Sequence, residues 1–164
     1  MRIRTFTIPA LALLITPAFT SQSGAQRQQR QGVNFNPVGT FSAQNSPALP
    51  APGIDGDRIE NIALRKIGRS YGGTLTVFRG SRKMVYKFTE AAVGPGKLMF
   101  RTKPVRGISY RFEGEFNRGG DFAGDAMRRG DDRVENILRG MMTKLSGESV
   151  RGEATLKFDF LLGG

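Results

Sequence analysis

Cysteine, histidine and tryptophan are absent from this chain of 164 residues, and each absence excludes some chemistry. Without cysteine the chain forms no disulfide and carries no lipid-modified cysteine as a membrane anchor. Without both histidine and cysteine it lacks a Cys/His zinc cluster, a cysteine nucleophile and a Ser–His pair. Lys, Asp, Glu and Tyr remain as possible catalytic groups. We therefore predict a protein that is not an enzyme and that uses no cofactor and no metal.

A long hydrophobic run is also missing. The apolar stretch at residues 8–19 is interrupted by two prolines and is shorter than the roughly 20 residues needed to span a bilayer. Two arginines precede it and the small residues 23–25 follow it, which is the order of a secretory signal peptide. We predict that residues 1–25 are removed, that the mature chain begins at Gln26 without a transmembrane span, and that it is secreted or periplasmic.

The next segment, residues 26–53, is rich in Gln, Pro, Ser and Asn and has few large apolar residues. Four prolines break any regular element, and the apolar residues follow neither a strand nor a helix period. The composition predicts a disordered linker. Residues 54–164 then form one domain, since about 110 residues are too few for two.

Alternation of apolar and polar residues dominates this domain and predicts half-buried strands. It places Glu113, Glu115 and Asp159 on the solvent side. The predicted strands are residues 74–79, 82–89, 97–103, 108–116, 136–145 and 150–162. The large side chains predicted to face inward are Met84, Tyr86, Phe88, Phe100, Ile108, Tyr110, Phe112, Phe116, Leu156, Phe158 and Phe160.

An internal echo complicates two segments. The motif Asp-Arg-Ile-Glu-Asn-Ile at residues 57–62 recurs as Asp-Arg-Val-Glu-Asn-Ile at residues 132–137. In both copies the Asp and the Glu have the spacing of a helix capping box, so we predict a short helix at residues 58–67. For the second copy, Gly140 and the similarity to the first hairpin favour a strand, with a helix at residues 133–145 as the alternative. The echo is either a duplication or a coincidence.

The sequence thus predicts an all-β, mainly antiparallel fold, a small barrel or sandwich of about six strands with one short helix before the sheet. An α+β fold with residues 133–145 helical is the alternative.

Basic residues are concentrated in the first half of the domain. Residues 58–111 contain 13 basic residues and two acidic ones, Glu60 and Glu90. If their strands are neighbours, the outward-facing members form a basic surface suited to anionic partners, namely Lys87, Arg101, Lys103 and Arg111. The alternative is a surface that only keeps the protein soluble.

Three other patterns carry weaker functional hypotheses. Glu113 and Glu115 have the spacing of an inverting glycosidase pair, but an ordinary solvated strand face explains them better. The Asp-rich loop at residues 117–133 suggests calcium, although its arginines supply counter-charges, so we expect a salt-bridged loop. The inward aromatic residues could line a lipid pocket, but a domain of this size needs them for its core.

We therefore predict an exported, non-catalytic binding or envelope-associated protein that contacts anionic lipid head-groups or acidic glycans. A carrier of a small apolar ligand inside a barrel is the alternative, and a carboxylate-dependent hydrolase is the third hypothesis. Nucleic acid is not an expected partner, because an exported protein does not normally meet it.

Overall fold

Antiparallel strands make up most of the computed structural model, which describes residues 35–44, 53–94 and 96–162. These ranges contain nine strands and one helix. In chain order the elements are β1 (Gly39–Ala43), β2 (Gly53–Ile54), β3 (Asp57–Ile67), β4 (Ser70–Arg79), β5 (Arg82–Gly94), β6 (Lys97–Thr102), β7 (Ile108–Phe116), α1 (Phe122–Arg129), β8 (Arg133–Ser146) and β9 (Ser149–Leu161).

The strands close into a barrel through β1. From β3 to β9 each strand pairs with the next in the chain, and β1 pairs with both β9 and β3. Phe41 of β1 lies opposite Phe160 on one side and Ile62 on the other. Eight strands therefore form a closed barrel, with β2 added beside the start of β3. The predicted all-β fold is confirmed, and it is a barrel.

Residues 39–43 were expected to belong to a linker, and this part of the prediction is wrong. Phe41 and Ala43 are buried and alternate with the half-buried Thr40 and Ser42, so β1 has the pattern of a strand. The gap between β9 and β3 supplies its hydrogen-bonding partners, which the composition alone does not reveal. The predicted signal peptide and, of the predicted linker, residues 26–34 and 45–52 lie outside the described residues.

The predicted helix at residues 58–67 is a strand in the structure, and the strand predicted at residues 136–145 is confirmed. Residues 58–67 belong to β3, and residues 133–145 belong to β8, so the helix before the sheet and the α+β alternative are both wrong. Asp57 does not cap a helix; its carboxylate is buried and binds Arg79. The helix found in the described part of the chain, α1, lies in the Asp-rich segment that was predicted to be a loop.

The inward phase of the predicted strands is confirmed. All of the large side chains predicted to face inward are buried or half-buried. Four phenylalanine rings cross the interior in a row: Phe88 and Phe100 stack at 4.1 Å between ring centroids, Phe100 and Phe112 at 5.4 Å, and Phe112 meets Phe158 edge-on at 5.7 Å. Aromatic rings thus occupy the middle of the barrel.

The two ends of the barrel differ in chemistry. At one end, which we call the aromatic end, five phenylalanines contact one another: Phe35, Phe41, Phe116, Phe122 and Phe160. Phe122 belongs to α1, so the helix covers this end. The opposite end, which we call the polar end, contains a buried ionic cluster and is covered by Ile54, which is buried against Gly152.

Candidate functional site

The basic residues singled out in the sequence lie on three consecutive strands. Lys87 is on β5, and its carbonyl accepts a hydrogen bond of 2.7 Å from the backbone N–H of Lys103, which follows β6. Arg101 of β6 lies directly opposite Arg111 of β7. We call these four residues the basic face. The structure brings them together as two adjacent pairs on the outside of the barrel.

Acidic residues border this basic face at its Arg101 corner. The Arg101 guanidinium lies 3.2 Å from the carboxylate of Glu148, and Glu90 is opposite Arg101 on β5. By contrast, Lys87, Lys103 and Arg111 are exposed and form no ion pair with any residue in the described ranges. Three of the four cations are therefore available to an external anion, whereas Arg101 is partly compensated.

A shallow depression of about 340 Å³ adjoins the two arginines. Arg101 and Arg111 contribute to its lining together with Ala91, Ala92 and Met99. Met99 is 46% exposed, so the depression presents apolar surface beside two guanidinium groups, and Glu90 and Glu113 also line it. Such a combination suits a ligand that has both an anionic and an apolar part.

Glu113 and Glu115, the possible glycosidase pair, both project from the outer face of β7 and are exposed. They line a depression of about 380 Å³ with Lys97 and Arg139. The Glu115 carboxylate lies 3.9 Å from the Lys97 ammonium group. Acid catalysis needs one carboxyl kept protonated by burial, whereas these two carboxylates are in contact with solvent and near cations.

The Asp-rich segment makes one ion pair within itself, among the described residues, and one hydrogen bond to a residue outside it. Asp125 of α1 binds Arg128 one turn later, and Asp121, just before the helix, accepts a hydrogen bond of 3.3 Å from the Asn36 side chain. Within residues 35–44, 53–94 and 96–162 no three acidic side chains are grouped as a metal site would require. The salt-bridged interpretation describes this segment.

A buried ionic cluster at the polar end was not predicted. Asp57 is 1% exposed and accepts hydrogen bonds of 2.8 and 2.9 Å from the Arg79 guanidinium. The Lys144 ammonium group is 2.9 Å from the same carboxylate, and the Tyr110 hydroxyl also donates to it. Lys144 in addition binds the carbonyl of Asp55 at 2.9 Å, which ties the segment after β2 to the barrel. We call Asp57, Arg79, Tyr110 and Lys144 the ionic cluster.

Protonation of the ionic cluster follows from these contacts. Burial by itself raises the pKa of Asp57, but the hydrogen bonds from Arg79, Tyr110 and Lys144 outweigh it and lower the pKa to about 2. Burial and the neighbouring carboxylate raise the pKa of Tyr110 above its ordinary value. Asp57 is therefore an anion, and Tyr110 is a neutral hydrogen-bond donor, at any physiological pH.

One sequence signal could have located this cluster. Tyr86 and Tyr110 occupy inward positions, and a buried tyrosine hydroxyl usually finds a hydrogen-bonding partner. Tyr110 finds Asp57, whereas the buried hydroxyl of Tyr86 has no partner among the described residues. The Tyr86 ring instead packs edge-on against Tyr110 at 4.9 Å.

Asp159 is a second buried carboxylate, although alternation places it on the solvent side. It is fully buried and accepts hydrogen bonds from the side chains of Arg133 and Gln44 and, at 2.8 Å, from the backbone N–H of Asn136. Burial raises the pKa of Asp159, and these donors together lower it below the ordinary value. Because Asn136 has a positive φ of 52° in a β-bulge, Asp159 stabilises an irregular part of β8.

Comparison with known proteins leaves the site to be interpreted from its own geometry. No protein-family model matches the chain, and no significant match was found among curated proteins or solved structures. In the described part of the chain, no helix is both long and apolar enough to cross a membrane.

Proposed function

We propose that the protein is an exported, non-catalytic binding protein that contacts anionic components of a cell envelope through its basic face. The observation that carries this proposal is the direct opposition of Arg101 and Arg111 on neighbouring strands. Like charges at directly opposed positions repel one another and destabilise a sheet. A bound phosphate or carboxylate relieves that repulsion and accepts hydrogen bonds from both guanidinium groups.

The neighbouring lysines extend the same surface. Lys87 and Lys103 are joined by a backbone hydrogen bond and have exposed side chains, so they add two flexible cations next to the rigid arginine pair. This arrangement suits a partner with several anionic groups, such as a lipid surface or an acidic glycan. If the chain is exported as predicted, it meets lipid surfaces and acidic glycans, whereas it does not normally meet nucleic acid.

The competing functions receive less support. A carrier needs an interior volume, and the row formed by Phe88, Phe100, Phe112 and Phe158 fills the centre of an eight-stranded barrel, which is just wide enough for side chains. A hydrolase needs a desolvated carboxyl, whereas Glu113 and Glu115 are exposed.

The test is binding to vesicles of anionic lipid and to an immobilised acidic glycan. We expect the mature protein to bind at least one of them, and binding to weaken above about 0.15 M ionic strength, where the screening length falls to roughly 8 Å. Replacing all four residues of the basic face with Gln should abolish binding without unfolding the protein, since none of them is buried.

A matched control separates this surface from net charge. The exposed residues Arg129, Arg139, Arg151 and Lys157 lie elsewhere on the protein, and their replacement by Gln removes the same charge. This control variant should keep most of the binding. A separate variant, Glu148→Gln, removes the ion pair of Arg101 and should strengthen binding. Equal losses in both quadruple variants would reduce the basic face to a solubility feature.

A further inference from the structure

The hairpin formed by β3 and β4 extends beyond the barrel wall. Strand β1 opposes β3 only as far as Leu64, and β5 opposes β4 only from Thr74 onward. Between these points, residues 65–72 pair only with one another, among all residues the structure describes. We call this two-stranded extension the arm.

The tip of the arm is basic and has an exposed apolar side chain. Every residue from Arg65 to Ser70 is exposed, and these include Lys66 and Arg69. Ile67 lies among these cations with 65% of its surface exposed. No acidic residue occurs between Glu60 and Glu90, so nothing nearby in the sequence neutralises the tip.

The other strand of the arm leaves room for the Ile67 side chain. A Cβ atom at Gly72 would lie 2.6 Å from the δ1 carbon of Ile67, so the absence of a side chain at Gly72 makes room for the isoleucine. Tyr71, which is opposite Lys66 and one pair from the turn, is half-buried and packs against the core. The exposed isoleucine is therefore carried on a supported hairpin.

The arm also continues the basic face. Strand β3 places Ala63 opposite Thr74, which is opposite Lys87 on β5. Since side chains alternate between the two faces of a strand, Arg65 and Ile67 lie on the same outer side as Ala63 and hence as Lys87. On the outer surface Arg65 and Ile67 therefore lie two strands from Lys87, and the cations of β6 and β7 follow further round the barrel.

We infer that the arm docks on an anionic lipid bilayer, with Ile67 entering the head-group region and Arg65, Lys66 and Arg69 contacting lipid phosphates. Interfacial membrane binding combines buried apolar surface with attraction between basic residues and anionic lipid. An acidic glycan would use the cations but would offer no apolar phase for Ile67. This inference rests on the proposed anionic partner and specifies it as lipid.

The experiment measures binding of the mature protein to vesicles of 30% phosphatidylglycerol in phosphatidylcholine, to vesicles of phosphatidylcholine alone and to an acidic glycan. A basic residue near an anionic bilayer contributes about a five-fold factor in affinity. Replacing Arg65, Lys66 and Arg69 with Gln should therefore weaken binding to the anionic vesicles about a hundred-fold. Ile67→Ser should weaken it about ten-fold and leave glycan binding unchanged.

Met127→Ser is the matched control for the isoleucine. Met127 is 67% exposed on α1, so this substitution removes a comparable apolar group from a surface outside the arm. Vesicle binding should therefore not change. Thermal melting of each variant checks that it is folded, which we expect because all of these side chains are exposed.

The outcomes distinguish this inference from the proposed function. Two results would overturn the inference and leave the proposed function standing. In the first, the protein binds the glycan but not the vesicles. In the second, the arm variants bind vesicles normally while the basic-face variant does not. If neither partner is bound, both fail. Loss of vesicle binding in Ile67→Ser with glycan binding retained supports the lipid assignment.

Discussion

Replacing Asp57 with Asn should destabilise the barrel severely, because Asp57 is the one carboxylate in the ionic cluster. The substitution keeps the shape of the side chain but removes the charge that Arg79 and Lys144 share. Lys144 is only 6% exposed, so its ammonium group would stay buried with the half-exposed Asp55 as its remaining carboxylate partner. Breaking a buried ion pair in this way costs about 3–5 kcal/mol. A domain of this size has a net stability of about 5–15 kcal/mol, so a large part of it would be lost.

The pKa of Asp57 gives an independent lower estimate of the same interaction. It falls from the ordinary value of 3.8 to about 2, which corresponds to roughly 2–3 kcal/mol. Because the pKa is lower in the folded state, this contribution is complete above about pH 4 and disappears as the pH falls towards 2. The Asp57→Asn variant should lack this part of the acid sensitivity of the wild-type protein.

Asp55 provides a matched control. Its carboxylate lies 3.1 Å from the same Lys144 ammonium group, but its side chain is 54% exposed. An exposed ion pair contributes about 0–1 kcal/mol, so Asp55→Asn should have little effect. Removing the buried cation together with the anion, in Asp57→Asn combined with Lys144→Met, should recover part of the loss.

The assay is urea unfolding followed by circular dichroism at pH 7 and at pH 3. We expect the free energy of unfolding of Asp57→Asn to be lower by at least about 2 kcal/mol at pH 7, and the difference from wild type to narrow at pH 3. Similar unfolding curves for Asp57→Asn and Asp55→Asn would refute the argument, since they would mean that burial does not set the strength of these contacts.

Two further predictions concern the core and the compartment. Phe112→Ala and Phe158→Ala should each lower the free energy of unfolding by about 3–5 kcal/mol, whereas Glu113→Ala should change it by no more than about 0.5 kcal/mol; equal losses of melting temperature would mean that the inward and outward phases are reversed. Mass spectrometry of protein from its native host should find a chain beginning near Gln26; cytosolic protein that retains Met1 would remove the basis for envelope partners.

Much of the barrel could be predicted from the sequence because one physical rule governs most of it. A strand with one buried face alternates apolar and polar side chains, and this pattern located β5, β6, β7 and β9 within a few residues. Closure could not be predicted in the same way. It depends on β1, whose five residues lie in a proline-rich segment and whose partners, β3 and β9, include the strand most distant from it in the sequence.

In the candidate site, too, residues on regular strands could be predicted and residues beside strand irregularities could not. The basic face could be predicted, because an outward position on a regular strand follows from counting in twos, and the four residues are indeed outward. Lys144 could not be found by such counting. The pairing of β8 with β9 shifts register between Lys144 and Leu145, and Lys144 is buried with its ammonium group against Asp57. Asp159 is likewise buried beside a bulge of β8.

β-Bulges also explain why two strands looked like helices. In β3, Ile59 and Asn61 lie opposite the consecutive residues Val77 and Thr76, so Glu60 is an extra residue. The next buried side chain after Ile59 is therefore Ile62, three positions later. This spacing is typical of a helix, but here a bulge in a strand produces it. In β8 the four-residue step from Val134 to Leu138 spans only two residues of β9, with the same effect. The two copies of the echoed motif therefore share a physical property, since each begins a strand and contains a bulge. The capping-box spacing in both copies is incidental to it.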